Sequence, residues 1–131
     1  MKIKPADTWF SKCVRHSKNW TCEKCGSVHE PGSMGMHTSH IVPRRYRALR
    51  WSVSNVQCLC FPCHKWFGSE PYESGLWIRK FIGDGMMDLL IEKKNQTIKV
   101  TKAEEKEIAA HYRKEYNRML SENDNDFESW Q

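Results

Sequence analysis

The stretch NVQCLCFPCHKWFG, residues 55–68, joins the sequence pattern of a buried strand to that of a short helix. Its first half, together with Ser54, is bounded by turn residues and reads as a strand. Its second half reads as a helix that ends near Gly68. The pair Cys60-x2-Cys63 lies at the junction, where a single turn can bring both sulfurs to the same ion.

A second pair of cysteines, Cys22-x2-Cys25, precedes the first pair in the chain. Four thiolates can enclose Zn²⁺ in a tetrahedron with no open position, so the spacing predicts a structural zinc site. Zinc binding of this kind is worth about 10–16 kcal/mol in small zinc peptides, which would compensate for the thin core of a 131-residue chain. The two other cysteines, Cys13 and Cys58, are expected to be small buried apolar residues.

Three polar residues accompany the cysteine pairs: His40 in the predicted strand MHTSHIV, Asn55, and His64 directly after Cys63. The order Cys-x2-Cys, His, Asn, Cys-x2-Cys-His resembles the HNH (ββα-metal) nucleases, particularly those with an added zinc knuckle. The resemblance covers residues 22–67. It implies an α+β fold with a ββα-metal core and a structural zinc site, flanked by an N-terminal helix and a C-terminal helical extension.

The resemblance also implies roles for these residues. His40 stands at the position of the general base, Asn55 at that of the asparagine that ties the loop behind the base, and His64 at that of a ligand of the catalytic divalent ion. The family usually has Asp, sometimes His, immediately before the base, whereas this chain has Ser39. A serine hydroxyl is a poor ligand for divalent ions.

We expect His37 to replace the missing acid, since residues two apart in a strand share a face and His37 lies one such step before Ser39. The alternative is that His37 packs or binds phosphate, and that His64 holds the ion with water alone. The cofactors expected are therefore a structural Zn²⁺ and one catalytic divalent ion, Mg²⁺, Mn²⁺ or another transition metal. Two imidazoles without a carboxylate favour a transition metal over Mg²⁺.

A closer resemblance is to the NinG-type phage recombination endonucleases. It is carried by FSKCVR in the first helix, CxxCG, HxxH, RALRWSVSNVQCLCFPCH and a following helix that contains GLWI. It extends over about residues 7–120 and implies a phage-derived enzyme acting on recombination or branched DNA intermediates.

The charge of the chain is uneven along its length. Residues 1–68 carry 11 Lys and Arg against 3 Asp and Glu, whereas residues 121–131 carry 4 acidic residues and no Lys or Arg. Four arginines follow the predicted base and are expected to contact DNA phosphates without reading sequence: Arg44, Arg45, Arg47 and Arg50. A basic surface beside a metal site indicates DNA as the partner, although an ordinary solvated surface would have the same composition.

The segmentation predicted is a nuclease core with an N-terminal helix (1–68), a helical extension packed on it (69–120) and an acidic, disordered tail (121–131). Within the extension, Thr101 and Glu104 form a capping box that predicts a long helix over about 102–120. Asp7 is predicted to cap the first helix.

The sequence favours an enzyme, a metal-dependent DNA endonuclease. The alternatives are a non-catalytic zinc module that binds nucleic acid and a packaging-associated HNH nickase. No stretch has the apolar length of a membrane span, and the N-terminus lacks the apolar run of a signal peptide, so a cytoplasmic protein is expected, in the host cell if phage-encoded. The oligomeric state is left open, a dimer included.

Overall fold

The computed structural model describes residues 1–130 and combines six helices with one small sheet. In chain order the elements are α1 (Pro5–Ser17), β1 (Met36–His40), α2 (Arg47–Arg50), β2 (Val56–Cys60), α3 (Phe61–Ser69), α4 (Pro71–Ile82), α5 (Asp84–Lys94) and α6 (Lys102–Glu122). Both strands and the helix after Cys60 form where the sequence predicts them. The predicted α+β fold with flanking helices is therefore confirmed.

The two strands pair antiparallel, with His37 opposite Leu59 and His40 opposite Val56. Every residue of β2 is buried, while the exposure of β1 varies along the strand. The chain passes directly from Cys60 into α3. Strands β1 and β2 and helix α3 thus form a ββα unit.

The longest helix, α6, is capped as its sequence predicts. The Thr101 hydroxyl accepts a hydrogen bond from the Glu104 backbone N–H at 3.1 Å, and the Glu104 carboxylate accepts one from the Thr101 N–H at 3.3 Å. The face that carries Ile108, Tyr112 and Met119 is buried against α1 and Trp51. The N-terminal helix thus packs on the C-terminal one, so segments distant in sequence share a core.

The Asp7 carboxylate lies at the centre of this core, 8% exposed. It accepts hydrogen bonds from the Arg50 side chain at 2.9 and 2.6 Å, from the Trp51 indole N–H at 3.0 Å and from the Lys4 backbone N–H at 2.8 Å. Burial alone would raise the pKa of Asp7, but these donors lower it below its ordinary value. Asp7 therefore caps α1 from the third helical position and also binds α1 to the segment around α2.

The C-terminal tail, for which the acidic composition predicts disorder, makes specific contacts with α6 in the structure. Helix α6 extends to Glu122, and the residues that follow fold back along it. Arg118 pairs with Asp124 at 3.0 Å, the Trp130 N–H donates to the Tyr112 hydroxyl at 2.8 Å, and Phe127 packs against the α1–α6 core. Apolar anchors thus outweigh the repulsion among the acidic residues. Gln131 lies outside the described residues.

Among residues 1–130, no helix is both long and apolar enough to cross a lipid bilayer.

Replacing Asp7 by Asn should lower the free energy of unfolding by about 3–5 kcal/mol, because it leaves the Arg50 guanidinium buried without a counter-charge. Denaturant unfolding at pH 7 measures the loss. Asp84→Asn removes a carboxylate from an exposed ion pair with Arg79 and should cost less than about 1 kcal/mol. Since the Asp7 pKa is lowered on folding, the difference between D7N and the parent should shrink as pH falls below the ordinary Asp range.

Candidate metal centres and nuclease cleft

The four cysteines of the two CxxC pairs converge on one point. Their sulfurs lie within 4.8 Å of one another, and those of Cys25 and Cys60 are 3.6 Å apart. Tetrahedral Zn²⁺ with Zn–S bonds near 2.3 Å sets its sulfurs about 3.8 Å apart, so the cluster has the dimensions of a zinc site. All six cysteines are free. The cluster Cys22, Cys25, Cys60 and Cys63 is therefore a metal-binding group suited to zinc.

A short hairpin carries the first two of these sulfurs. Thr21 and Val28 form an isolated β-bridge, and Gly26 takes a positive φ of 78° that lets the chain turn after Cys25. The hairpin docks on β2 through Glu23, whose backbone N–H donates to the Cys58 carbonyl at 2.8 Å. A hydrogen bond with the Ser27 side chain lowers the pKa of Cys25 to about 6, which favours the thiolate form that binds metal.

The remaining two cysteines are buried in apolar surroundings, as expected. Cys13 lies in the α1–α6 core and Cys58 beneath the hairpin, and burial raises the pKa of each thiol to about 12. Neither is part of the four-sulfur cluster.

Cys22→Ser should abolish stoichiometric zinc and destabilise residues 20–69, since this cluster joins the hairpin to β2 and α3. Cys13→Ala is the matched control, because it also removes a buried thiol but should keep one zinc per chain. Metal analysis of the purified proteins, with thermal unfolding, distinguishes the two. A C22S protein that retained one zinc and its melting temperature would rule out the four-thiolate site.

A cleft of about 890 Å³ runs along β1, all five residues of which line it. Helix α1 forms one wall, and residues from α3 and the loop after β1 form the rest. We call this the β1 cleft. The polar side chains relevant to its chemistry are Ser11, Lys12, Arg15, His37, His40, Arg44 and His64.

His40 is held in one tautomer by the backbone. Its Nε2 lies 2.8 Å from the Arg50 carbonyl oxygen, which can only accept, so Nε2 carries the proton and Nδ1 carries a lone pair. Burial lowers the pKa of His40, the Arg50 carbonyl opposes this shift, and the nearby Arg44 charge adds to it. The net lowering keeps the imidazole neutral at pH 7, so Nδ1 is available to accept a proton.

Asn55 is fully buried and closes the loop that follows His40. Its side-chain oxygen accepts from the Val42 N–H at 2.8 Å, and its amide group donates to the carbonyls of Val42 and Leu49 at 2.9 and 3.1 Å. A side chain that satisfies three backbone groups at once fixes the path of the loop. Its contacts correspond to the loop-tying role expected from the sequence.

His37 and His64 meet in the β1 cleft, with their Nδ1 atoms 2.9 Å apart. The His37 Nε2 lies 3.2 Å from the Met34 carbonyl oxygen, which can only accept, so Nε2 carries the proton of the ring. The His37 Nδ1 therefore has a free lone pair that can bind a metal ion. If two nitrogens each bind one ion at about 2.1 Å and the two bonds form a right angle, the nitrogens are about 3 Å apart. The pair thus fits a shared divalent ion.

Ser39 is 2% exposed and faces Gln57 across the sheet. Its side chain has no hydrogen bond to either histidine. The structure therefore brings His37 rather than Ser39 to His64.

The four arginines expected at DNA have different environments. Arg44 lines the β1 cleft, and Arg45 is exposed with its guanidinium 4.8 Å from the centre of the Tyr46 ring. Arg47 pairs with Glu105. Arg50 is 2% exposed and bound by Asp7, which corrects its assignment to the DNA surface. A buried guanidinium with a carboxylate partner cannot contact a phosphate without unfolding its surroundings, so its role is structural.

Two cations that the sequence reasoning missed, Lys12 and Arg15, reach the β1 cleft from α1. Their spacing of three residues places them on one side of a helix, a signal that could have been read from the sequence. What it could not reveal was that this side faces β1.

Comparison with protein families matched residues 22–69 to the model described as HNH endonuclease. This segment is therefore similar to HNH endonuclease domains. The match covers less than half of the chain and contains the four cysteines, His37, His40, Asn55 and His64, whereas α1 and the helices after α3 lie outside it. Comparisons with curated proteins and with solved structures found no match.

Proposed function

We propose that the chain is a metal-dependent DNA endonuclease that hydrolyses phosphodiester bonds in the β1 cleft. One observation carries the proposal. The Nδ1 atoms of His37 and His64 lie close together in the same cleft as His40. The His40 ring is neutral, and its Nδ1 forms no hydrogen bond within residues 1–130. A non-catalytic zinc module would need none of these three groups.

In the proposed reaction, His40 Nδ1 removes a proton from water as the water oxygen attacks phosphorus. The bond from phosphorus to the 3′-oxygen breaks, and the 3′-oxygen takes a proton from solvent and leaves as a hydroxyl. His37 and His64 would hold a divalent ion, which when bound supplies a Lewis acid beside the phosphate and the leaving oxygen. The Arg50 carbonyl keeps His40 in the tautomer that can accept the proton. Asn55 keeps the loop behind His40 in place.

The scissile phosphate would be held by the cations at the cleft, Lys12 and Arg15 on α1 and Arg44 after β1. A guanidinium group can donate hydrogen bonds to two phosphate oxygens at once. Such contacts position the DNA backbone without reading the bases. We therefore expect little sequence preference from the β1 cleft itself.

His40→Ala should lower the cleavage rate by about 10²–10⁴-fold while zinc content, folding and DNA affinity stay near those of the parent, because only the proton acceptor is lost. Single-turnover cleavage of duplex DNA at saturating protein measures this rate. His16→Ala is the control, since His16 lies outside the cleft and should leave the rate unchanged. Near-parental turnover by the H40A protein would exclude His40 as the base.

His37→Ala should raise the metal concentration required for half-maximal cleavage, and excess metal should restore part of the rate. H40A should show no such rescue. A titration with Mn²⁺, Co²⁺ and Mg²⁺ separates the two variants, and a parent that prefers Mn²⁺ or Co²⁺ to Mg²⁺ would agree with two imidazole ligands. An unchanged titration in H37A would leave His64 as the one protein ligand proposed here.

Within this proposal, the cellular role is DNA recombination or the processing of branched phage DNA. It is supported by the resemblance of residues 7–120 to the NinG-type enzymes. Linear, nicked and four-way-junction DNA of equal length should therefore be cut at different rates, with the junction fastest. Equal rates on all three would leave the nuclease activity in place and remove the recombination role.

A further inference from the structure

A second basic depression also borders α1, beside the β1 cleft. It has a volume of about 510 Å³ and is formed where α1 meets the outer face of α6. We call it the α1–α6 groove. The residues that define it are Trp9, Lys106, Ala109, Ala110, Arg113 and Lys114.

The groove contains positive charge without acidic residues. Lys106, Arg113 and Lys114 are exposed, and among residues 1–130 none of the three forms an ion pair. Elsewhere in residues 1–130 some cations are paired, for example Lys4 and Arg47 with Glu105. Three unneutralised cations at one groove repel one another, and a polyanion bound there would remove that repulsion.

The shape of the groove also suits the extended backbone of a polyanion. Ala109 and Ala110 are small, so no long side chain rises between the cations of α6. Across the groove, Trp9 presents its ring to two cations, with Lys12 4.7 Å and Arg113 5.6 Å from the ring centre. These contacts hold the two positive groups beside α1.

The groove and the β1 cleft are connected through Lys12. This side chain lines the β1 cleft, yet its ammonium group lies over Trp9, which lines the groove. Because both depressions border α1, we take the width of a helix with its side chains, about 10–12 Å, as the distance between them. That distance corresponds to roughly three to four base-pair steps of DNA.

We propose that the α1–α6 groove is a second binding surface for the phosphate backbone of duplex DNA, which engages the arm of the substrate beyond the scissile phosphate. The inference rests on the proposed nuclease function, because it takes the β1 cleft as the place where the same duplex is cut. It assigns α1 and α6, both outside the matched HNH segment, to substrate binding rather than to scaffold alone.

The test compares two triple variants of the full chain that carry the same change in net charge. The groove variant is Lys106→Ala, Arg113→Ala and Lys114→Ala. The control variant is Lys80→Ala, Lys93→Ala and Lys99→Ala, all exposed residues that line neither depression. Affinity for a 30-base-pair duplex is measured over a range of salt concentrations, together with single-turnover cleavage at saturating DNA.

The groove variant should bind the duplex on the order of 10- to 100-fold more weakly at 0.1 M salt. The slope of the logarithm of the binding constant against the logarithm of salt concentration should become less steep by about 2 to 3. The control variant should stay close to the parent, and both should cleave saturating DNA at the parental rate. Equal affinities and salt slopes for the two variants would overturn the inference. If the parent bound DNA through the groove but cut none, the proposed function would fail while the binding surface remained.

Discussion

The buried carboxylate of Asp7 is the group on which most of this structure depends. It accepts hydrogen bonds from α1's own first turn, from the Arg50 guanidinium and from the Trp51 indole. Arg50 in turn offers its backbone carbonyl to His40. The Asp7 carboxylate binds the Arg50 side chain, and the Arg50 backbone carbonyl binds His40. Arg50 therefore connects the N-terminal helix to the residue proposed as the base. Removing a charge from such a network exposes the remaining partner to an apolar interior, which is why the dependence is strong.

The four-cysteine cluster lies at the start of α3, the helix that borders the β1 cleft. Cys60 ends β2 and Cys63 lies in the first turn of α3. His64 follows Cys63 and meets His37 in the cleft. The cysteine cluster and the histidine pair proposed to bind the catalytic ion are thus adjacent in sequence. We therefore expect removal of a metal from the cluster to affect the proposed cleavage indirectly, through the position of α3.

Helix α1 separates two basic surfaces and contributes to both. Lys12 and Arg15 face the β1 cleft, while Trp9 faces α6. The histidines and Asn55 proposed for the chemistry lie within the matched segment, whereas Lys12 and Arg15 lie outside it. Within the two proposals, the added helices supply surface for a long substrate. That division of roles would account for unpaired cations on α6, far from the proposed metal ligands in sequence.

The cysteine spacing, the order of His40, Asn55 and His64, and the capping box of α6 were readable from the sequence because each depends on local spacing. Cysteines two residues apart must share a turn, and strand alternation alone was enough to propose His37 in place of Ser39. The structure places these groups together, while their catalytic roles stay predictions. Local patterns were thus enough to predict which side chains come together.

Only the tertiary structure decided which charges remain available to a substrate. Arg44, Arg47 and Arg50 look alike in sequence, yet one lines the cleft, one pairs with Glu105 and one is buried against Asp7. The acidic composition of the tail predicts disorder, whereas in the structure Phe127 and Trp130 pack on a core formed by α1 and α6. In each case the partner lies tens of residues away in the chain. Ion pairing and burial depend on that partner, and no local pattern can supply it.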